Sequence, residues 1–414
     1  MKYGIMRLVP AACLALLIQG QSFSQSAESE SAVLTDSARV AYVYVTTSKG
    51  IYAYNSSSAG KLTVIAGSPF KQTVGLAIGS TGKYFITLGT FWLHAYAIEP
   101  NGAIGEQVSA VDTRAYGGGD CETFPDENLV FGTDGAILDH AHKNAYVFIS
   151  ASHNDGEGCA AYQVYNIATN GQLIFNSSNE WYSPARQELA FGMVLTGNNK
   201  FGFARIWDWG ESETPYYTVK EYKRGSRGSL EPWSGSRKNP EPPPSYEYDP
   251  GCVNCSDSVS SMAADSTNHL AFAITAYSID SNGYQAGPTQ LASYTADSNG
   301  HLVSTNTWKN MPMVPSGGLM SISPAGDLLA FAVGTGVKFY HFNGADPITE
   351  YTGIIGSSGY ISNMQWDKAS HLYAVNGASG RLHIYEVTPT IEKEVVGSPY
   401  TIPGIAQNVF VVSK

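Results

Sequence analysis

Past residue 38, apolar and polar positions alternate with a period of two, and the alternation breaks at clusters of Gly, Asn, Asp and Ser. This pattern predicts β-strands joined by tight turns. Seven segments carry a short apolar strand ending in Tyr: GIYAY (Tyr54), WLHAY (Tyr96), YQVY (Tyr165), VKEY (Tyr222), LASY (Tyr294), VKFY (Tyr340) and LHIY (Tyr385). Their spacings of 42, 69, 57, 72, 46 and 45 residues are those of a repeat architecture with insertions. Downstream of several of these tyrosines a Gly turn precedes an apolar residue, as in SAGKL, PNGAI, TNGQL and SNGHL, which predicts a hairpin to a further strand. Upstream stands another strand pair around a polar turn, as in VGLAIGSTGKYFITLG and LMSISPAGDLLAFAVG.

Four antiparallel strands per unit, repeated seven times, predict an all-β fold, a seven-bladed β-propeller. The two chain ends are complementary: IAQNVFVVS lacks the later strands of a blade, and RVAYVYVTTSKGIYAY lacks an inner strand. The C-terminal strand is therefore expected to complete the first blade and remove the open edges of the ring. GSPF (67–70) and GSPY (397–400) then become the outer ends of adjacent blades, one and seven. The repeated tyrosines are expected to fill the wedge between blades, with the hydroxyl kept near solvent.

YVYVTTSKGIYAYN, GKLTVIAGSPF and PAGDLLAFAVGTGVKFYHF resemble the YVTN-type, lactonase-like seven-bladed propellers of exported bacterial proteins. The resemblance spans residues 39–414. The tetrapeptide here is Tyr44-Val45-Thr46-Thr47, without the final Asn. Similar proteins include sugar-lactone hydrolases and surface proteins without a demonstrated reaction, so the resemblance implies a fold and leaves the chemistry to be argued from the site.

The remaining composition refines this picture. Lys2 and Arg7 precede an apolar run from Leu8 to about Ile18 and a small, polar stretch, the order of a secretory signal, with cleavage expected after about Ala27. Residues 28–38 read as a short flexible lead. No later run is long enough to span a bilayer, so a soluble monomer, secreted or periplasmic, is expected. Loss of the two leader charges takes the net charge from -11 to -13, which argues against a nucleic-acid partner. In an oxidising compartment Cys121, Cys159, Cys252 and Cys255 suggest two disulfides. Cys121 with Cys159 and Cys252 with Cys255 fit the loop map, and cross-pairing between the two inserts stays open.

Inserted residues concentrate on one face. Residues 117–134, HNDGEGC, 207–215, the long insert 227–258 and 280–289 all fall in outer-to-inner or second-to-third strand loops of blades three to five. Loops added in one sector mark a binding surface, so the leading expectation is a binding module for a small molecule, a carbohydrate or a protein. Trp207, Trp209, Trp233, Tyr246 and Tyr248 would supply its walls, and Asp134 and Asp257 its carboxylates near the axis. Calcium could be held by Asp120 and Glu122 or by Asp155 and Glu157; no other cofactor is expected. The alternative is a hydrolase of a lactone or sugar-derived substrate, with Glu188 as general base and Arg186 stabilising the oxyanion. His140 and His142, in DHAHKN, fall at an inner-to-second strand turn, on the opposite face.

Overall fold

The computed structural model describes residues 39–72, 76–116, 130–152, 158–183, 188–208, 216–232, 256–280, 283–315, 317–334, 336–356 and 359–414. Its strands form seven antiparallel sheets of four or five strands, each one blade of a ring. Going outward from the axis, blade two is Leu76–Ser80, Tyr84–Leu88, Trp92–Ile98 and Ile104–Asp112. The inner strands of blades three to seven begin at Val130, Glu188, Ser256, Met320 and Ile361. Among the described residues the helical content is a single 3-10 turn, Thr113–Tyr116.

Ring closure follows the expectation from the chain ends. Ala406–Ser413 is the inner strand of blade one and pairs antiparallel with Arg39–Thr47, Tyr44 opposite Phe410. The GSPF and GSPY tails are structural equivalents in neighbouring blades. Ser68 Oγ accepts from Ala53 N at 3.0 Å and Ser398 Oγ from Ile384 N at 2.9 Å. Phe70 bridges to Ile51, and Tyr400 pairs with Leu382.

The core consists of seven clusters, each straddling one seam between adjacent blades. Successive side chains of a strand point to opposite sheet faces, so blade one sends Val43 and Val45 to the seam with blade seven and Tyr42 and Tyr44 to the seam with blade two. Both faces being buried, the middle strands read as near-continuous apolar runs such as AYVYV.

All seven repeated tyrosines lie on third strands and are buried. Their rings fill the seams, Tyr385 against Phe339 of blade six and Tyr222 against Tyr162 of blade three. The expectation that their hydroxyls stay near solvent is corrected. The oxygens of Tyr340 and Tyr385 are enclosed without a hydrogen-bond partner among the described residues, and burial pushes both phenols well above the ordinary value of 10.0. The physical reason is that the third strand lies too deep in the wedge for the phenol to reach its rim. An unpaired buried hydroxyl costs about 1–3 kcal/mol, which the burial of a whole ring offsets.

The Gly turns after these strands also serve the seams. Gly102 sits at φ 88°, and a Cβ there would lie 2.3 Å from the Tyr42 ring of blade one. Tyr42 and Tyr44 donate to the carbonyls of Pro100 and Gly102 in the same turn, at 2.5 and 2.9 Å. The turn residue is Gly because the neighbouring blade's ring occupies the space a side chain would need.

Candidate functional site

The inner strands reach the axial channel, and their first residues belong to the face that carries the inserted loops. Most of them share one irregularity. Pairing with the second strand shifts register between Ala77 and Gly79, Thr133 and Gly135, Ala190 and Gly192, Val259 and Ser261, and Ile361 and Asn363. A bulge adds one residue and bends the strand, and here it recurs at the same level in blades three, four, five and seven and two residues nearer the turn in blade two. In blade three the extra residue is Asp134.

Glu188 is the first residue of the blade four inner strand, opposite Asp208, which in turn lies opposite Tyr216 on the third strand. Asp257 is the second residue of the blade five inner strand. Two carboxylate-bearing positions thus stand at the starts of consecutive inner strands, and Asp134, expected at the start of the blade three inner strand, instead lies midway along it, the fifth of nine residues, because the strand begins earlier, at Val130. The corresponding starts in blades two, six, seven and one are Leu76, Met320, Ile361 and Ala406, none of them titratable.

Trp207 lies opposite Leu189 and Tyr217, one row inside Glu188. Cys159 pairs in register with Ala151 and Tyr182. Arg186, Trp209, Trp233, Tyr246, Tyr248, Cys121, Cys252 and Cys255 lie outside the described residues, as do Asp120, Glu122, Asp155 and Glu157. Among the described residues no cluster of three or more His, Cys, Asp or Glu is placed to hold a metal ion.

The structure adds Arg205, which the sequence reading did not single out. Its guanidinium leaves the second strand of blade four and donates through Nη1 to the carbonyl of Ser260, the bulged residue of blade five. A cation therefore crosses from the strand paired with the Glu188 strand to the inner strand that carries Asp257. The available signal was one Arg inside the apolar run FGFARIW, a position a packed strand keeps for a charge only when the charge has a partner. In blade five the Thr275 and Thr289 hydroxyls lie 2.7 Å apart, and Gln290 donates to the Trp308 and Met311 carbonyls.

At the other end of the channel, His140 and His142 lie on the turn face as expected. His140 Nε2 donates to Leu195 O at 2.8 Å, and His142 Nδ1 donates to Ser80 O.

No protein-family model matches the sequence, and no curated protein matches it. Solved structures do share the fold. A candidate 6-phosphogluconolactonase from Bacteroides fragilis superposes with a TM-score of 0.53 at 12% identity, over 91% of this chain and 99% of its own. A Lactobacillus plantarum protein gives 0.53 at 13%, over 90% and 99%. The periplasmic gluconolactonase of Pseudomonas aeruginosa gives 0.50 at 12%, again over 90% and 99%. The chain is thus a seven-bladed β-propeller with the fold of lactonase-type propellers. No helix among the described residues is long and apolar enough to cross a membrane.

Proposed function

We propose that this protein binds and hydrolyses a lactone of a sugar-derived acid at the inner-strand starts of blades three to five. The observation that carries the reading is the placement of Glu188 and Asp257 at the starts of two consecutive inner strands, with Asp134 at the bulge of the neighbouring one. Glu188 takes a proton from water as its oxygen attacks the lactone carbonyl carbon, and Arg186 stabilises the oxyanion that forms. Collapse of the tetrahedral species breaks the bond to the ring oxygen, which takes the proton back from Glu188. The new carboxylic acid then releases its proton to solvent. Asp134 and Asp257 bind substrate hydroxyls, and Trp207, Trp209, Trp233, Tyr246 and Tyr248 wall the entrance, since aromatic rings bury sugar faces at little entropic cost.

In this reading the chain is exported, which the N-terminal charge and apolar pattern supports, and the Cys121–Cys159 and Cys252–Cys255 disulfides brace the entrance loops. Calcium, if used, is held by loop carboxylates rather than by the strands.

A second reading, a binding module without turnover, is favoured by one observation: four inner strands begin on residues that carry no acid or base. One assay separates the two. The purified chain is given a panel of aldonolactones and aliphatic lactones, with and without calcium, beside Glu188→Gln. Turnover that falls by about a hundredfold or more in the variant supports hydrolysis at this site. Turnover unchanged in the variant overturns the assignment of Glu188, and saturable binding without turnover leaves the binding module.

A further inference from the structure

The end of the channel away from the inserted loops opens into a cavity of about 660 Å³, walled by the inner-strand ends and turns of six blades, all but blade four. That is the size of an ordinary small-molecule site. Its floor is apolar: Ile78, Ile137, Leu138 and Val412 are only half covered, and Trp366 and Phe410 are buried beneath them. Each of these side chains also packs into a seam, Ile78 and Leu138 between blades two and three, Ile137 between three and four, Val412 and Phe410 between one and two, and Trp366 between six and seven, and the part the seam leaves uncovered lines the cavity.

The rim is rich in donors on one side. Gln365 uses its Oε1 to accept from Val411 N at 2.8 Å, which leaves its two amide hydrogens. Ser413 Oγ accepts from Lys368 N at 2.9 Å, which leaves its hydroxyl hydrogen. The Lys368 side chain is exposed and makes no ion pair among the described residues. The one carboxylate in the wall is committed elsewhere: Asp265 accepts from Thr267 N at 2.8 Å and His269 N at 3.1 Å and lies 3.0 Å from His269 Nδ1. The two histidines direct one N–H each to a backbone carbonyl. A lone cation with two neutral donors beside it, above an apolar floor, suits one chemistry, that of an amphipathic anion.

We propose that this cavity binds a hydrocarbon-bodied monocarboxylate, its carboxylate between Lys368, Gln365 and Ser413 and its chain or ring on the apolar floor. The site is separate from the one proposed for lactones and stands whether or not that reading holds.

The test uses the full chain and octanoate, with binding followed by titration calorimetry. Octanoate is expected to saturate one site, with 1-octanol at least about tenfold weaker because a charge-assisted contact is lost. Lys368→Glu, an exposed change that leaves the ring intact, is expected to weaken octanoate at least about tenfold and to leave any lactone turnover unaltered. Ala264→Leu, at the cavity wall, is expected to weaken octanoate and octanol alike. Failure of octanoate to saturate, equal affinity for Lys368→Glu and the unaltered chain, or displacement of octanoate by a lactone would each overturn the proposal.

Discussion

The seam between blades three and four and the seam between blades seven and one start from the same residue and end on different chemistry. In each, a buried Asp opens the inner-to-second strand turn and one carboxylate oxygen accepts two turn amides. Asp139 accepts from Lys143 N at 2.7 Å and Asn144 N at 3.1 Å, and Asp367 from Ala369 N at 2.8 Å and His371 N at 2.9 Å. The turn requires this much, because its amides would otherwise be left without partners.

The second oxygen is where the seams part. Asp139 Oδ2 lies 2.6 Å from Arg224 Nη2 of blade four, and the same guanidinium donates to Asn144 Oδ1 at 2.6 Å and Tyr146 OH at 2.5 Å. Tyr146 in turn donates to Gly228 O at 2.9 Å; burial pushes its phenol up to about 12, against the opposing pull of Arg224. Asp367 Oδ2 instead stays within blade seven, 2.8 Å from His371 Nδ1 and 2.9 Å from Tyr373 OH. Within this network only the phenol crosses the seam: its hydrogen goes to Asp367, so Ser56 Oγ is the donor in the 2.6 Å contact with Tyr373. One seam is stapled by an ion pair and the other by hydroxyls. The lesson is that the local turn dictates the aspartate, while its second partner depends on which neighbour the ring brings within reach.

Three substitutions sharpen this contrast, beginning with the largest effect. Arg224→Met strands a buried carboxylate and is expected to cost about 3–5 kcal/mol, read as a lowered midpoint in urea unfolding. A cost under about 1 kcal/mol would mean that the ion pair does not hold the seam. Tyr373→Phe removes a hydrogen bond to a carboxylate and the only crossing contact of its network, for about 1.5–3 kcal/mol, measured in the same way. Ser56→Ala is the mildest, about 1 kcal/mol. In a double-mutant cycle with Tyr373→Phe its cost should largely vanish, since both changes remove one contact; simple additivity would break the pairing.

Much of the architecture was legible before the fold was known. Strand period, turn residues and the repeat of a terminal Tyr are local signals, because a pleated strand must alternate and a hairpin must use residues tolerant of its backbone angles. The halves of blade one were readable because an unpaired edge at each chain end demands a partner. Glu188 and Asp257 could be placed at strand starts by counting to the inner strands, whereas Asp134 lies midway along its strand. The depth of the tyrosine hydroxyls could not, since an amphipathic ring looks the same at the rim and in the middle of a wedge.

Chain order alone therefore specified the repeat and the pairing of successive strands, which depend on neighbours within a few tens of residues, while ring closure, which joins Tyr44 to Phe410 across 366 positions, was legible only from the unpaired edges at the two ends. Contacts between blades were decided by the assembled ring. Arg224 meets Asp139 across 85 positions, Arg205 meets Ser260 across 55, and the cavity at the turn face needs strand ends from residue 78 to residue 413. The physical reason is that hydrogen bonds and packing act over a few ångströms, so partners distant in sequence become defined only when closure of the ring sets their separation.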